Sequence, residues 1–175
     1  MKLLSFRGNI SHADNARTVN QQIFSYNSPD LTRAWKVHSF YLWPKTVRAA
    51  TGTGDGQQQM NVSLATDEIG SPSFDDVCDV TDNRQIGWIS TGFQMRDNVA
   101  GDFIQIKLSI EQCKALMDPD HIVNRNLYIN MYTTSDSSVA PVRDYNYLLI
   151  LEEVKVTENE AILQIVKGVA QDIRN

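Results

Sequence analysis

Apolar and polar residues alternate with period two in one segment of this chain after another. That pattern constrains the fold more than any other feature, because a strand with one face in a core and one in water requires it. In MNVSLAT, Met60, Val62 and Leu64 share a face, with Asn61 and Ser63 opposite. In DFIQIKLSI, Ile104, Ile106, Leu108 and Ile110 share a face, with Gln105, Lys107 and Ser109 opposite. In RNLYINMYTT, Leu127, Ile129 and Met131 point one way, and Asn126, Tyr128, Asn130 and Tyr132 the other. IGWISTGF around Trp88, the opening KLLSFRG and QQIFSY around Phe24 read as further strands. Turn-forming stretches separate them: TGTGDGQQQ (Thr51 to Gln59) reads as a mobile hairpin loop, and GSPSFDDVCDVTDNR (Gly70 to Arg84) as a long acidic connection. Long helices do not intervene, which argues against a doubly wound parallel sheet. The expected fold is all-β, an antiparallel two-sheet sandwich with jelly-roll wrapping, as a single domain over residues 1–175.

Two helices are expected beside the strands. In SIEQCKALMDPD, Ser109 and Gln112 form a capping-box pattern, and the helix closes at Asp118 before Pro119. In TENEAILQIVKGVAQDIRN, Thr157 and Glu160 repeat that pattern, and Ile162, Ile165, Val166, Val169 and Ile173 recur at helical spacing. Gly168 weakens that helix by roughly 1 kcal/mol relative to Ala. A strand over Ala161 to Val166, paired back onto Tyr145–Val156, is the alternative for this tail, and residues 161–173 stay open between the two.

Two strands break the alternation. In RAWKVHSFYLWPKTVRA, Trp35 and Val37 alternate with Lys36 and His38, but from Phe40 to Trp43 every residue is apolar or aromatic. YNYLLILEEVKV (Tyr145 to Val156) does the same from Leu148 to Leu151. A strand dry on both faces has its outer face covered by something. The expectation is that the C-terminal helix and a neighbouring subunit together bury Phe40, Leu42, Leu148 and Ile150, each worth roughly 1.5–3 kcal/mol when covered.

Composition narrows the function. The formal charge is −5 with no run of Lys or Arg, which argues against sequence-independent binding to DNA or RNA. Cys78 and Cys113 lie far apart, without C-x-x-C or metal-ligand spacing, and read as buried thiols. No apolar run is long enough for a signal peptide or a membrane span, so the expectation is synthesis in a cytoplasm without export.

Catalytic constellations are missing as well. His12, His38 and His121 fall in three separate segments with no H-E-x-x-H; His38 reads as a surface histidine and His121 as a local hydrogen-bonding residue. GTGDG lacks the Lys and Ser or Thr of a phosphate loop, and no G-x-S-x-G elbow occurs. The reading is therefore not an enzyme, with no catalytic, cofactor-binding or metal residues assigned. The closest thing to a site is the acidic span Asp67, Glu68, Asp75, Asp76, Asp79 and Asp82. Calcium takes six to eight oxygen ligands, but the spacing does not match an EF-hand, and Asp residues serving as turn formers and caps are the simpler account. Calcium at 67–82 stays open. Among the aromatics, Trp35 and Trp88 read as core, Trp43 before Pro44 as a half-exposed ring at an interface, and Tyr41 and Trp43 as candidates for a stacking face.

The strands AWKVHSFYLW and NLYINMYTT, with the loop TGTGDGQQQ, give most of the chain a texture that resembles single jelly-roll virion proteins: capsid, minor capsid or head-decoration subunits of viruses and phages. The resemblance implies a structural subunit of a particle, partnered by copies of itself and by other particle proteins, residing in the virion. Capsid proteins that bind their genome directly carry a basic N-terminal arm, which this chain lacks, so direct nucleic-acid binding is not expected. The alternative is a lectin-type carbohydrate-binding β-sandwich, calcium-dependent if the acidic span takes an ion.

Overall fold

The computed structural model describes residues 2–27, 30, 32–45, 56–70, 73–95, 109–135, 142–163 and 166. Eight strands lie among them: β1 (Leu3–Ala13), β2 (Arg17–Ser25), β3 (Arg33–Pro44), β4 (Gly56–Ala65), β5 (Gln85–Met95), β6 (Leu116–Met117), β7 (Asn126–Ser135) and β8 (Val142–Lys155). They form two antiparallel sheets. One has the order β1-β8-β3, the other β2-β7-β4-β5-β6. The first strand pairs with the last, the second with β7, and β4 with β5 as the innermost hairpin. This nesting is how a jelly roll wraps a long antiparallel ribbon into a sandwich. The expected strand at 102–110 falls mostly on 101–108, outside the described residues.

The alternation read from the sequence sets the faces. From β4, Met60, Val62 and Leu64 point inward, and from β7, Leu127, Ile129 and Met131 do. They meet Ile10, Trp35, Val37, Phe40, Leu42, Tyr145, Leu149 and Leu151 from the smaller sheet. At one end of this core four rings interlock: Phe24 contacts Phe6 and Trp35 edge-on, with centroids 5.3 and 6.2 Å apart, and Tyr26 meets Trp35 at 5.7 Å. Such geometry adds about 0.5–1.5 kcal/mol per pair beyond area burial.

The apolar run in β3 has a local cause. The pairing of β3 with β8 slips between Val37, opposite Leu151, and Ser39, opposite Ile150. His38 is the extra residue of a β-bulge and is exposed. The bulge shifts the phase, so Trp35 and Val37 before it and Phe40 and Leu42 after it all face inward. Phe40 and Leu42 are fully enclosed by their own chain, which corrects the expectation that they need outside cover. Apolar residues on the outer face include Tyr41 and Trp43 from β3, Leu148, Ile150 and Val154 from β8, and Leu3 from β1.

The expected helix at Ser109–Asp118 is a single 3₁₀ turn, Ile110–Cys113. Its capping box forms as read: Ser109 Oγ accepts the Gln112 amide and the Gln112 side chain accepts the Ser109 amide. The chain then extends instead of continuing the helix. The Ala115 amide donates to the Phe40 carbonyl at 2.8 Å, and β6 pairs with β5 through Gly87–Met117 and Trp88–Leu116. These sheet-edge bonds replace the intrahelical ones. At the C-terminus a short helix begins at 158 with the Thr157–Glu160 capping box in place. It places Ala161 in a buried site, with Asn124 Nδ2 donating to the Ala161 carbonyl, and leaves Ile162, Leu163 and Val166 exposed. The expected cover of Leu148 and Ile150 by this helix falls largely on residues 164–165 and 167–173. These lie outside the described residues.

Candidate association surface

The two outer faces of the sandwich differ. On the five-stranded sheet, Ser63, Ala65 and Asn130 face outward yet are completely buried. The acidic connection between β4 and β5 lies over them. Its apolar residues Ile69 and Val77 are buried, and Phe74 packs on Tyr132 at 4.5 Å with the Arg17 guanidinium 4.8 Å from the Phe74 ring. Asn20 holds this cover with a paired amide clamp: its Nδ2 donates to the Ile69 carbonyl and its Oδ1 accepts the Ile69 amide, both at 2.9 Å. Asn20 has φ 54°, a left-handed conformation that Asn tolerates better than most residues. The Cys78 thiol donates to the Val62 carbonyl at 3.0 Å.

Three Asp residues of the cover make local hydrogen bonds. Asp76 accepts the Ser73 amide, Asp79 the Thr81 amide and hydroxyl, and Asp82 the Arg84 amide. Asp82 also receives the buried Arg84 guanidinium at 2.8–3.2 Å, while Arg84 reaches the Glu68 carbonyl. Among the described residues, no three His, Cys, Asp or Glu side chains converge on a common point that could hold a metal ion. These Asp side chains are turn formers and caps, and the cover they shape is what the connection is for structurally.

On the outer face of the three-stranded sheet Ala34 and Ser39 are buried, but Tyr41, Trp43, Leu148 and Ile150 stay partly exposed. β3 and β8, the two strands whose apolar runs stood out in the sequence, lie side by side. Tyr41 sits opposite Leu148, Ser39 opposite Ile150 and Trp43 opposite Asn146. Tyr41, Trp43, Leu148 and Ile150 therefore form one continuous, half-exposed stripe. Lys114 Nζ stands 5.7 Å from the Tyr41 ring at one margin, and Lys45 pairs with Asp144 at 3.6 Å at another. Beside the stripe, Arg7, Gly8, Trp43, Asn146, Tyr147 and Leu148 line a recess of about 340 Å³. Trp43 is thus the half-exposed ring expected. Trp35 is core as expected, but Trp88 is not: it faces outward from β5 opposite Ser63.

The other histidines sit in structural networks. His12 is buried at the end of the core opposite the aromatic cluster. Its Nδ1 meets Thr18 Oγ1 at 2.8 Å and its Nε2 meets Thr133 Oγ1 at 3.0 Å. Thr133 donates to Asp14, whose carboxylate also receives Gln58 Nε2 and, at 2.9 Å, Arg143 Nε. Burial pushes the His12 pKa down to about 4, against the pull of Asp14. Gln58, read as part of a mobile loop, is a buried strand residue of this network; its place beside Met60 in the alternation was the available signal. His121, taken for a local hydrogen-bonding residue, reaches further. Its Nε2 accepts the Val37 amide at the bulge at 2.8 Å and its Nδ1 donates to the Asp118 carbonyl. Burial lowers its pKa first of all, and Lys36 adds to that.

No helix among the described residues is long and apolar enough to cross a membrane. No protein-family model matches the chain, and no curated protein matches it.

Proposed function

We propose that this protein is a structural subunit that works by assembling with copies of itself, in the manner of a capsid or capsid-associated protein of a virus or phage. One observation carries the reading: the chain covers the Ser63–Ala65 end of its larger sheet's outer face with its own acidic connection, whereas among the described residues Tyr41, Trp43, Leu148 and Ile150 stay as a partly exposed apolar stripe on the smaller one. An apolar patch of this kind in water marks an association site. The jelly-roll nesting and the resemblance of the strands to virion proteins support the particle as the setting. The test is native mass and light scattering across protein concentrations. Assembly that Ile150→Asp abolishes, with folding retained by circular dichroism, is expected. A monomer at every concentration overturns the reading.

The recess favours a second reading, a carbohydrate-binding module. An indole face beside a guanidinium and an amide, as Trp43, Arg7 and Asn146 provide, suits a sugar ring with polar substituents. A glycan panel answered by the wild type and lost in Trp43→Ala, by a protein that stays monomeric, would select this reading over assembly.

A further inference from the structure

We propose that β1 is a seam through which two copies of this chain join their smaller sheets into one continuous sheet, pairing antiparallel about a two-fold axis at Gly8. The inference rests on the self-association proposed above and names a backbone contact for it.

The sandwich manages its sheet edges unequally. The edge of β3 is occupied: Trp35 exchanges backbone bonds with Val123 at 2.9 and 2.7 Å, the Val37 amide goes to His121, and the Phe40 carbonyl takes the Ala115 amide. The edge of β2 is irregular, because its register against β7 shifts twice and Asn20 has positive φ. Bulges of this kind are how native sheets block edge-to-edge pairing. Among the described residues β1 has none of these devices. Its eleven residues pair with β8 without a shift, it contains no proline, and Arg7 is its one side chain with a fixed charge. No described strand lies on its other side.

The phase of the strand selects the register. The Lys2 carbonyl accepts the Glu153 amide, so the even-numbered residues of β1 turn their backbone groups toward β8. Leu3, Ser5, Arg7, Asn9 and Ser11 turn theirs outward, and all five are exposed. An axis at Gly8 places each outward residue opposite another outward residue and pairs the strand over its whole length, Leu3 with Ala13. Arg7 then faces Asn9 of the second copy, and Ser5 faces Ser11. An axis one residue earlier sets Arg7 against Arg7, a like-charge pair that costs stability. Gly8 at the axis suits the closest approach in the ladder, about 4.5 Å between α-carbons in a non-hydrogen-bonded pair.

The test exploits the Arg7–Asn9 juxtaposition, which occurs twice per seam. Asn9 is exposed, so its variants fold. Asn9→Asp is expected to tighten association several-fold and Asn9→Lys to weaken it several-fold, read by analytical ultracentrifugation at low salt. The amides of Leu3, Ser5, Arg7, Asn9 and Ser11 gain protection from hydrogen exchange as concentration rises. Unchanged association in both variants, or exchange at those amides that does not depend on concentration, overturns the seam. If Ile150→Asp abolishes assembly while both Asn9 variants assemble like the wild type, self-association stands and this seam falls. A chain that stays monomeric overturns both.

Discussion

Arg143 Nε lies 2.9 Å from Asp14 Oδ2 with both side chains buried, so an ion pair inside the sandwich ties the end of the first strand to the start of the last. The pair sits where the two sheets meet, and Gln58 and Thr133 of the larger sheet complete the carboxylate's hydrogen bonds. Removing one partner from a buried pair leaves a charge without its counter-charge. Arg143→Ala is expected to cost about 3–5 kcal/mol in urea unfolding. The double variant Asp14→Ala, Arg143→Ala is expected to lose less than the sum of the two single changes; additive losses would show that the contact is not coupled.

The same network makes stability depend on pH. The folded state holds His12 neutral with a pKa of about 4, whereas the unfolded chain protonates it near 6.5. The unfolded state therefore binds more protons between those values. The contribution is fully present above about pH 6.5 and is lost as pH falls toward 4, by roughly 3 kcal/mol in all. His121, also lowered by burial, acts in the same direction. Unfolding free energies at pH 7.5, 5.5 and 4.5 should decline in that order, and His12→Gln should flatten the decline. A His12 ring resonance titrating near 6.5 in the folded protein would refute the assignment.

Both cysteines should be chemically quiet. Burial pushes the thiols of Cys78 and Cys113 up to about 11, so little thiolate exists at neutral pH. Iodoacetamide at pH 7.5 is expected to leave the native mass unchanged over an hour and to add two labels after denaturation. Rapid labelling of Cys78 alone would mean that the acidic connection opens.

Asn20 tests that connection directly. Asn20→Ala removes both bonds to Ile69 and puts a residue that resists positive φ at 54°. The expected loss is about 2 kcal/mol. The informative readout is limited proteolysis, with new cleavage between residues 66 and 84 while the strands stay intact. Asn20→Gly, which keeps the backbone freedom, should recover part of the stability but not the protection of the cover.

Much of the fold was legible because side-chain period maps directly onto strand faces. Met60, Val62, Leu64, Leu127, Ile129 and Met131 were read as two inward faces and are found there. Both capping boxes were legible too, since they depend on residues three apart. A capping box fixes where a turn starts, not how long it runs. After Cys113 the bonds from Ala115 to Phe40 and from β6 to β5 decided the conformation, and those are long-range. The phase slip at His38 was hidden because a bulge conserves composition while inverting faces, which is why Phe40 and Leu42 looked surplus. Nothing periodic marks the acidic connection. Ile69, Phe74 and Val77 were its only hints that it lies down on a sheet. Asp14, Gln58 and Arg143 are spread across more than 120 residues of sequence, and only the nesting of first and last strands brings them together.

The self-made cover over the larger sheet has a geometric corollary. The cover lies over the Ser63–Ala65 end of the larger sheet, and the stripe lies on the smaller sheet alone, so under the proposed assembly two copies that meet through their stripes use up both. Under that proposal stacking through the stripe stops at two copies, and growth beyond a pair runs through other surfaces, such as the edge of β1.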